Sequence, residues 1–128
     1  MADTEKITIN MSVVDLGQVD LLVEEGFYSS RTDFIRTAIR NQLNQHGEVV
    51  RQSVTRRTMV VGAVSYTRAE LERYRDKGEM LEVRVVGVFY LPSEVTPELA
   101  RAVIRSVKVL GVFRASEPVK QSLADRLQ

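Results

Sequence analysis

A lone strand followed by two short helices, near the start of the chain, constrains the fold more than any other feature. Apolar and polar residues alternate from residue 5 to residue 11, which places Ile7, Ile9 and Met11 on one face of an extended strand. The edges of one strand lack hydrogen-bond partners, and a unit of about 48 residues with two short helices cannot enclose a core. The simplest solution is a two-fold dimer in which the strand pairs antiparallel with its copy.

Helix signals follow the strand directly. Ser12 is predicted to cap a first helix, and Gly26 is predicted to end it as the residue after the C-cap. Ser30 and Asp33 have the spacing of a capping box, which predicts the start of a second helix. Gly47 is the expected stop of that helix.

Two segments carry a family resemblance. They are residues 7–12 (ITINMS) and residues 26–40 (GFYSSRTDFIRTAIR). In this order they resemble the ribbon-helix-helix (Arc/MetJ) superfamily of bacterial DNA-binding proteins, and within it the CopG/ParD-like group of repressors and antitoxins. The resemblance covers residues 5–46, about a third of the chain.

The resemblance implies that a two-stranded ribbon enters the major groove of DNA. By analogy, the base-reading residues are Lys6, Thr8 and Asn10. A lysine can donate to guanine, an asparagine can pair with adenine, and a threonine can bond a base edge or touch a thymine methyl group. The alternative is that these side chains form the solvated face of an edge strand.

The start of the second helix is the expected phosphate site, because helix N-termini favour anions. The residues assigned to it are Ser29, Ser30 and Arg31. For the two serines the alternative is plain helix capping. Residues 1–46 hold four basic and seven acidic residues, so DNA binding would depend on local placement rather than on a strong overall field.

Residues 49–58 are polar and charged and are predicted to form a linker, or an extension of the second helix, between a domain at 1–48 and a domain at 59–128. The linker arginines could add phosphate contacts, and a solvated connector is the alternative. They are Arg51, Arg56 and Arg57.

The C-terminal part contains a repeat. Three apolar segments are each interrupted by one glycine, at Gly62, Gly87 and Gly111, with spacings of 25 and 24 residues. Helix-start signals follow at Thr67, Thr96 and Ser116. Three strand–helix units in series predict parallel strands, arranged as a solenoid-like stack or as a small open sheet.

Two further expectations concern this repeat. A strand near residues 80–85 could merge into the second unit. A glycine at the same place in each strand indicates close backbone approach or a bulge. The expected fold class is α+β, with an N-terminal ribbon-helix-helix domain and a small C-terminal α/β domain.

Residue types that support catalysis or metal binding are scarce. The chain has no cysteine and one histidine, His46, and no nucleophile is paired with a base, so we expect neither an enzyme nor a cofactor or metal site. Nickel-sensing relatives use His and Cys ligands, which this C-terminal part lacks. With no apolar run of membrane-spanning length and an acidic start unlike a signal peptide, the expected location is the cytoplasm.

The sequence is therefore compatible with three functions. The first is a homodimeric, sequence-specific DNA-binding regulator, a repressor or autoregulator, whose C-terminal domain joins dimers or binds a partner or effector. The second is an antitoxin, which predicts a mostly disordered C-terminal segment that folds on its toxin. The third is a structural assembly protein that uses the ribbon only for dimerisation.

Overall fold

The computed structural model describes residues 4–128 and divides them into two compact units. The N-terminal unit is residues 6–53, and the C-terminal unit is residues 54–128 together with residues 4–5. The elements are α1 (Val13–Glu24), α2 (Arg31–Gln45), α3 (Gly47–Arg56), β1 (Val60–Ser65), α4 (Arg68–Asp76), β2 (Leu81–Tyr90), α5 (Pro97–Val103), β3 (Ile104–Arg114), α6 (Glu117–Ser122) and a final 3₁₀ turn (Ala124–Arg126).

Both ends of α1 form as predicted. The Ser12 hydroxyl accepts hydrogen bonds from the first-turn amides of Val14 and Asp15 at 3.2 and 3.5 Å. At the other end Gly26 has a φ of +87°, and the Phe27 amide donates to the Leu22 carbonyl at 3.0 Å. This pattern closes the helix with a glycine in the left-handed region.

The strand predicted at residues 5–11 does not form within the single chain. Residues 4–12 belong to neither a helix nor a strand. The physical reason is that a strand requires a hydrogen-bonded neighbour, and the prediction placed that neighbour in a second copy.

The segment predicted as a linker, residues 49–58, is mostly helical. Helix α2 ends at Gln45 with His46 as its C-cap, so the stop predicted at Gly47 is confirmed in position, and Gly47 also starts the separate helix α3. Helix α3 ends at Arg56, and two residues later Thr58, a non-glycine residue, has a φ of +53°. The Met59 amide donates to the Val54 carbonyl at 2.9 Å, which is the closing bond of a Schellman motif.

The C-terminal unit contains a three-stranded parallel sheet in the order β1-β2-β3. Each strand is followed by a short helix that begins where predicted, with a side-chain cap from Thr67, Thr96 or Ser116. Thr67 and Glu70 complete a reciprocal capping box. The chain is thus α+β, and parallel pairing of the repeated units is confirmed.

Strands β2 and β3 are longer than the apolar segments that recur in the sequence. The strand expected near residues 80–85 merges with the second unit, since β2 runs without interruption from Leu81 to Tyr90. Helix α5 passes directly into β3 at Ile104. The strand therefore begins five residues before Val109, the first residue of the third repeated apolar segment. The repeat can be as short as 24–25 residues because the helices that follow the strands have only nine, seven and six residues.

The three repeat glycines lie side by side across the sheet, with Gly87 in register with both Gly62 and Gly111. Their φ angles are +129°, +139° and +127° in chain order, values that L side chains rarely adopt. A Cβ atom on Gly87 would lie 2.1 Å from the Gly62 carbonyl oxygen, and one on Gly111 would lie 2.0 Å from that of Gly87. Of the two predicted alternatives, close backbone approach is confirmed at Gly87 and Gly111, whereas a Cβ atom on Gly62 would meet nothing within 4 Å.

The core of the C-terminal unit lies between the sheet and its helices. Leu71, Phe89, Ala100 and Leu123 have no exposed surface. Residues 4–5 also contact this unit, because the Arg114 guanidinium donates to the Thr4 carbonyl at 2.8 Å and lies 3.6 Å from the Glu5 carboxylate.

Within residues 4–128, no helix combines the length and the apolar character that crossing a bilayer requires.

Candidate nucleic-acid interface

The residues of the expected ribbon are all exposed in the single chain. Lys6, Thr8 and Asn10 extend into solvent. The alternate residues Ile7 and Ile9 are 75 % and 65 % exposed, which is unusual for isoleucine. The polar row predicted to read bases and the apolar row predicted to cover the helices are therefore both uncovered.

The helices of the N-terminal unit expose apolar side chains as well. Among the described residues of this unit only Val19 is buried, at 4 % exposure. Large apolar side chains remain exposed on or beside all three helices, namely Val13, Val14, Leu21, Phe27, Ile39, Leu43, Val49 and Val50. An apolar surface of this extent indicates an interface with another molecule.

The Arg31 side chain, predicted to contact phosphate, is bound to a carboxylate of its own chain. Its Nε and Nη2 atoms donate to the two oxygens of Asp20 at 2.7 and 2.8 Å, in the two-point geometry that arginine also uses with phosphate. These hydrogen bonds lower the pKa of the Asp20 carboxyl group and raise that of Arg31. The pair joins α1 to the first residue of α2.

The two serines before α2 bond to Asp33. The Ser30 hydroxyl accepts from the Asp33 amide at 3.1 Å and so caps the helix as predicted. The Asp33 carboxylate does not return to Ser30, as a capping box would require, but accepts from the amide and the hydroxyl of Ser29 at 2.9 and 3.2 Å. A carboxylate oxygen therefore occupies the position near the helix start where a phosphate oxygen was expected.

The predicted contacts are thus grouped at two places in the N-terminal unit. One is the exposed segment of residues 6–11, and the other is the start of α2, where Ser29, Ser30 and Arg31 are consecutive. Sequence reasoning missed Asp20, which lies eleven residues before its arginine partner, so that helical spacing gives no signal for the pair. Between residues 4 and 128, no group of three or more His, Cys, Asp or Glu side chains is placed to hold a metal ion.

Part of the chain is similar to a known archaeal protein. An uncharacterized protein of Methanocaldococcus jannaschii is 39 % identical over 41 residues, which is 32 % of this chain. The matched stretch spans only 42 % of that relative's length. No solved structure matches the chain.

The model of the Ribbon-Helix-Helix transcriptional regulator family matches residues 2–120. The match includes the segment of residues 6–11, the start of α2 and most of the repeats of the C-terminal unit. It extends far beyond the third of the chain that carries the resemblance, so the strand–helix repeats are part of the family pattern. The chain belongs to the Ribbon-Helix-Helix family of transcriptional regulators, a family of DNA-binding proteins.

Proposed function

We propose that the protein is a homodimeric, sequence-specific transcriptional repressor or autoregulator that inserts a two-stranded ribbon into the major groove. In each chain Lys6, Thr8 and Asn10 read bases, while the start of α2 contacts a phosphate. The C-terminal unit joins dimers on DNA or binds a protein partner or an effector.

The observation that carries the proposal is the exposed apolar row of the ribbon segment. Ile7 and Ile9 are largely exposed, and the unit that contains them buries one described side chain, Val19. Antiparallel pairing of this segment with its copy would turn both apolar rows toward the four paired helices. The same pairing would present two sets of polar residues on the opposite face, as a groove-reading ribbon requires.

Phosphate binding would use groups that carboxylates now occupy. In the proposed complex, a DNA phosphate replaces Asp20 as the partner of the Arg31 guanidinium, since both anions accept two parallel hydrogen bonds. The hydroxyl groups of Ser29 and Ser30 and the first amides of α2 complete the site. In the absence of DNA, the ion pair would keep the Arg31 guanidinium beside the start of α2, where it can bind a phosphate.

The C-terminal unit argues against the antitoxin hypothesis. That hypothesis expects a mostly disordered segment, whereas residues 54–128 contain a parallel sheet with a buried core. A folded unit is suited to contacts between neighbouring dimers or to binding a ligand.

The test is a genome-wide binding assay with the wild type and with Lys6→Ala and Asn10→Ala. Each substitution should weaken DNA binding by about 1–3 kcal/mol and relax the sequence preference at defined positions of the site. Thr8→Ala is expected to have a smaller effect, because a threonine hydroxyl does not form the bidentate base contact that lysine and asparagine can form.

Matched variants separate base reading from loss of charge or of an amide. Lys77→Ala removes one positive charge from the C-terminal unit, and Asn44→Ala removes an exposed amide from α2. Both should leave site preference unchanged. Equal occupancy of the same sites by Lys6→Ala, Asn10→Ala and the wild type would refute the assignment of the reading residues.

A further inference from the structure

A basic cavity lies on the face of the sheet opposite the core. Its volume is about 350 Å³, and its lining residues are Arg57, Met59, Arg84, Lys108 and Gln128. Arg84 stands between the buried Val83 and Val85 in β2, so its side chain is on the opposite face of the strand from theirs. Lys108 is its register partner in β3.

The register brings like charges together. Neighbouring strands are about 4.8 Å apart, so the aliphatic parts of the Arg84 and Lys108 side chains begin side by side. Like charges on side chains at directly opposite positions repel each other and destabilise the pair. The backbone of Arg57 meets the same guanidinium, because Arg84 Nη1 donates to the Arg57 carbonyl at 3.2 Å. Three cationic residues from separate parts of the chain therefore line one cavity.

Acidic side chains compensate this charge only weakly. The Glu82 carboxylate is 3.9 Å from Arg84, and it is shared with Arg105 at 3.8 Å. In the part of the chain that the structure describes, neither Arg57 nor Lys108 forms an ion pair. The cavity thus keeps a local excess of positive charge in a chain whose net charge is only +1.

The backbone beside the cavity is also constrained. Thr58, between Arg57 and Met59, adopts a φ of +53°, which is unfavourable for a β-branched residue. The Schellman turn that it closes sets the direction in which the chain leaves α3 and enters β1. The turn thereby positions the Arg57 carbonyl that accepts from Arg84.

We propose that this cavity binds a phosphate group. Arginine offers a fork of donors that matches phosphate oxygens, and lysine adds a compact charge. A bound phosphate would relieve the repulsion between Arg84 and Lys108, which no carboxylate of the described chain does for the lysine. The phosphate could be supplied by a small phosphorylated effector or by the DNA backbone. The proposal concerns the C-terminal unit and does not rest on the proposed ribbon.

The test is a calorimetric titration of the full chain, without DNA, by sodium phosphate and by sodium pyrophosphate at an ionic strength held constant with sodium chloride. We expect saturable binding, tighter for pyrophosphate. The double variant R84Q/K108Q should raise the dissociation constant roughly tenfold to a hundredfold, the effect of losing charged hydrogen bonds. The variant R75Q/K77Q loses the same two residue types from the end of α4 and should bind like the wild type.

Thermal unfolding gives a second readout. A ligand that binds only the folded state raises the unfolding temperature. Phosphate should therefore stabilise the wild type and R75Q/K77Q but not R84Q/K108Q, while R84Q/K108Q without phosphate should unfold no earlier than the wild type. Absence of saturable binding by either anion, or equal binding by R84Q/K108Q, would overturn the proposal.

A DNA titration identifies the source of the phosphate. If the source is the DNA backbone, R84Q/K108Q weakens DNA binding and lessens its dependence on salt, with no change in base preference. If the source is a small effector, the variant binds DNA like the wild type in chloride buffer but loses any response to added pyrophosphate. These results do not depend on the proposed ribbon. They would still hold if Lys6→Ala and Asn10→Ala bound the same DNA sites as the wild type.

Discussion

The two units of the chain differ in how they bury apolar surface. The C-terminal unit encloses a core between a parallel sheet and its helices, whereas the N-terminal unit buries Val19 alone among its described residues. Their apolar residues are comparable in kind, so the difference is one of architecture. A sheet whose strands all come from one chain can be complete by itself, but a single strand cannot.

The stability of the two units should therefore depend differently on protein concentration. The C-terminal unit should unfold at a temperature set by the chain alone. The N-terminal unit, if its core forms only between two chains, should become more stable as the concentration rises, because association is coupled to folding. The following experiments test the difference, in order of expected effect.

The largest effect is expected from Gly87→Ala. The new Cβ atom would lie 2.1 Å from a backbone oxygen at a φ of +139°, so we expect a loss of about 3 kcal/mol or more in the unfolding free energy of the C-terminal unit. Gly62→Ala is the matched control, because its Cβ meets nothing within 4 Å and only the backbone strain remains. Denaturant unfolding checks both. Equal losses for the two variants would show that the close approach is unimportant.

Ile9→Ala should act on the other unit. If Ile9 is buried in both copies of a dimer, its truncation should cost about 2–4 kcal/mol per chain and shift the dimer toward monomer. Sedimentation and thermal unfolding over a range of concentrations measure the change. Val61→Ala removes a similar side chain that is 63 % exposed in β1, and it should change stability by less than about 0.5 kcal/mol. A wild type that is monomeric at micromolar concentration would end the dimer proposal.

Asp20→Asn should have the smallest effect, and it should strengthen DNA binding instead of weakening it. It removes the carboxylate that competes for Arg31, so affinity for DNA should rise by roughly threefold to tenfold, while the salt slope should stay nearly unchanged because Arg31 contacts the same phosphate in both proteins. Lowering the pH is no substitute. The pKa of Asp20 is held below its ordinary value, so the pair persists at neutral pH and is lost only as the pH falls through that lowered value.

Glu24→Gln provides the control for this variant, since it removes the same charge from α1 and keeps the Asp20–Arg31 pair. Thermal unfolding should accompany the binding measurement. An affinity no higher for Asp20→Asn than for Glu24→Gln would indicate that Arg31 serves only to join α1 to α2.

Local signals in the sequence predicted much of the fold. Ser12, Gly26 and Thr67 were sufficient to place helix ends, because caps depend on a few neighbouring residues. The recurrent glycines predicted the parallel units, since a fixed spacing brings equivalent residues into register. Helix α3 was not predicted as a separate element, because residues 49–58 are polar and charged and favour a linker or an extension of α2.

The candidate site was predictable only in part. The ribbon residues follow from alternation and family resemblance, and their reading of bases stays a prediction. The partner of Arg31 could not be found, because Asp20 reaches it through the packing of α1 on α2 rather than through sequence spacing. Alignment of the repeats could have revealed the basic cavity. Arg84 and Lys108 each precede their repeat glycine by three residues, and Met59 takes that place in the first repeat.

The glycine row also limits how the C-terminal unit can change. The carbonyls of Gly62 and Gly87 close the space beside the next glycine of the row, so sliding β2 or β3 by one residue would drive a valine or leucine side chain into a neighbouring backbone. Only β1 leaves the space beside its glycine open. An additional unit could therefore be grafted onto that edge of the sheet without rebuilding the others.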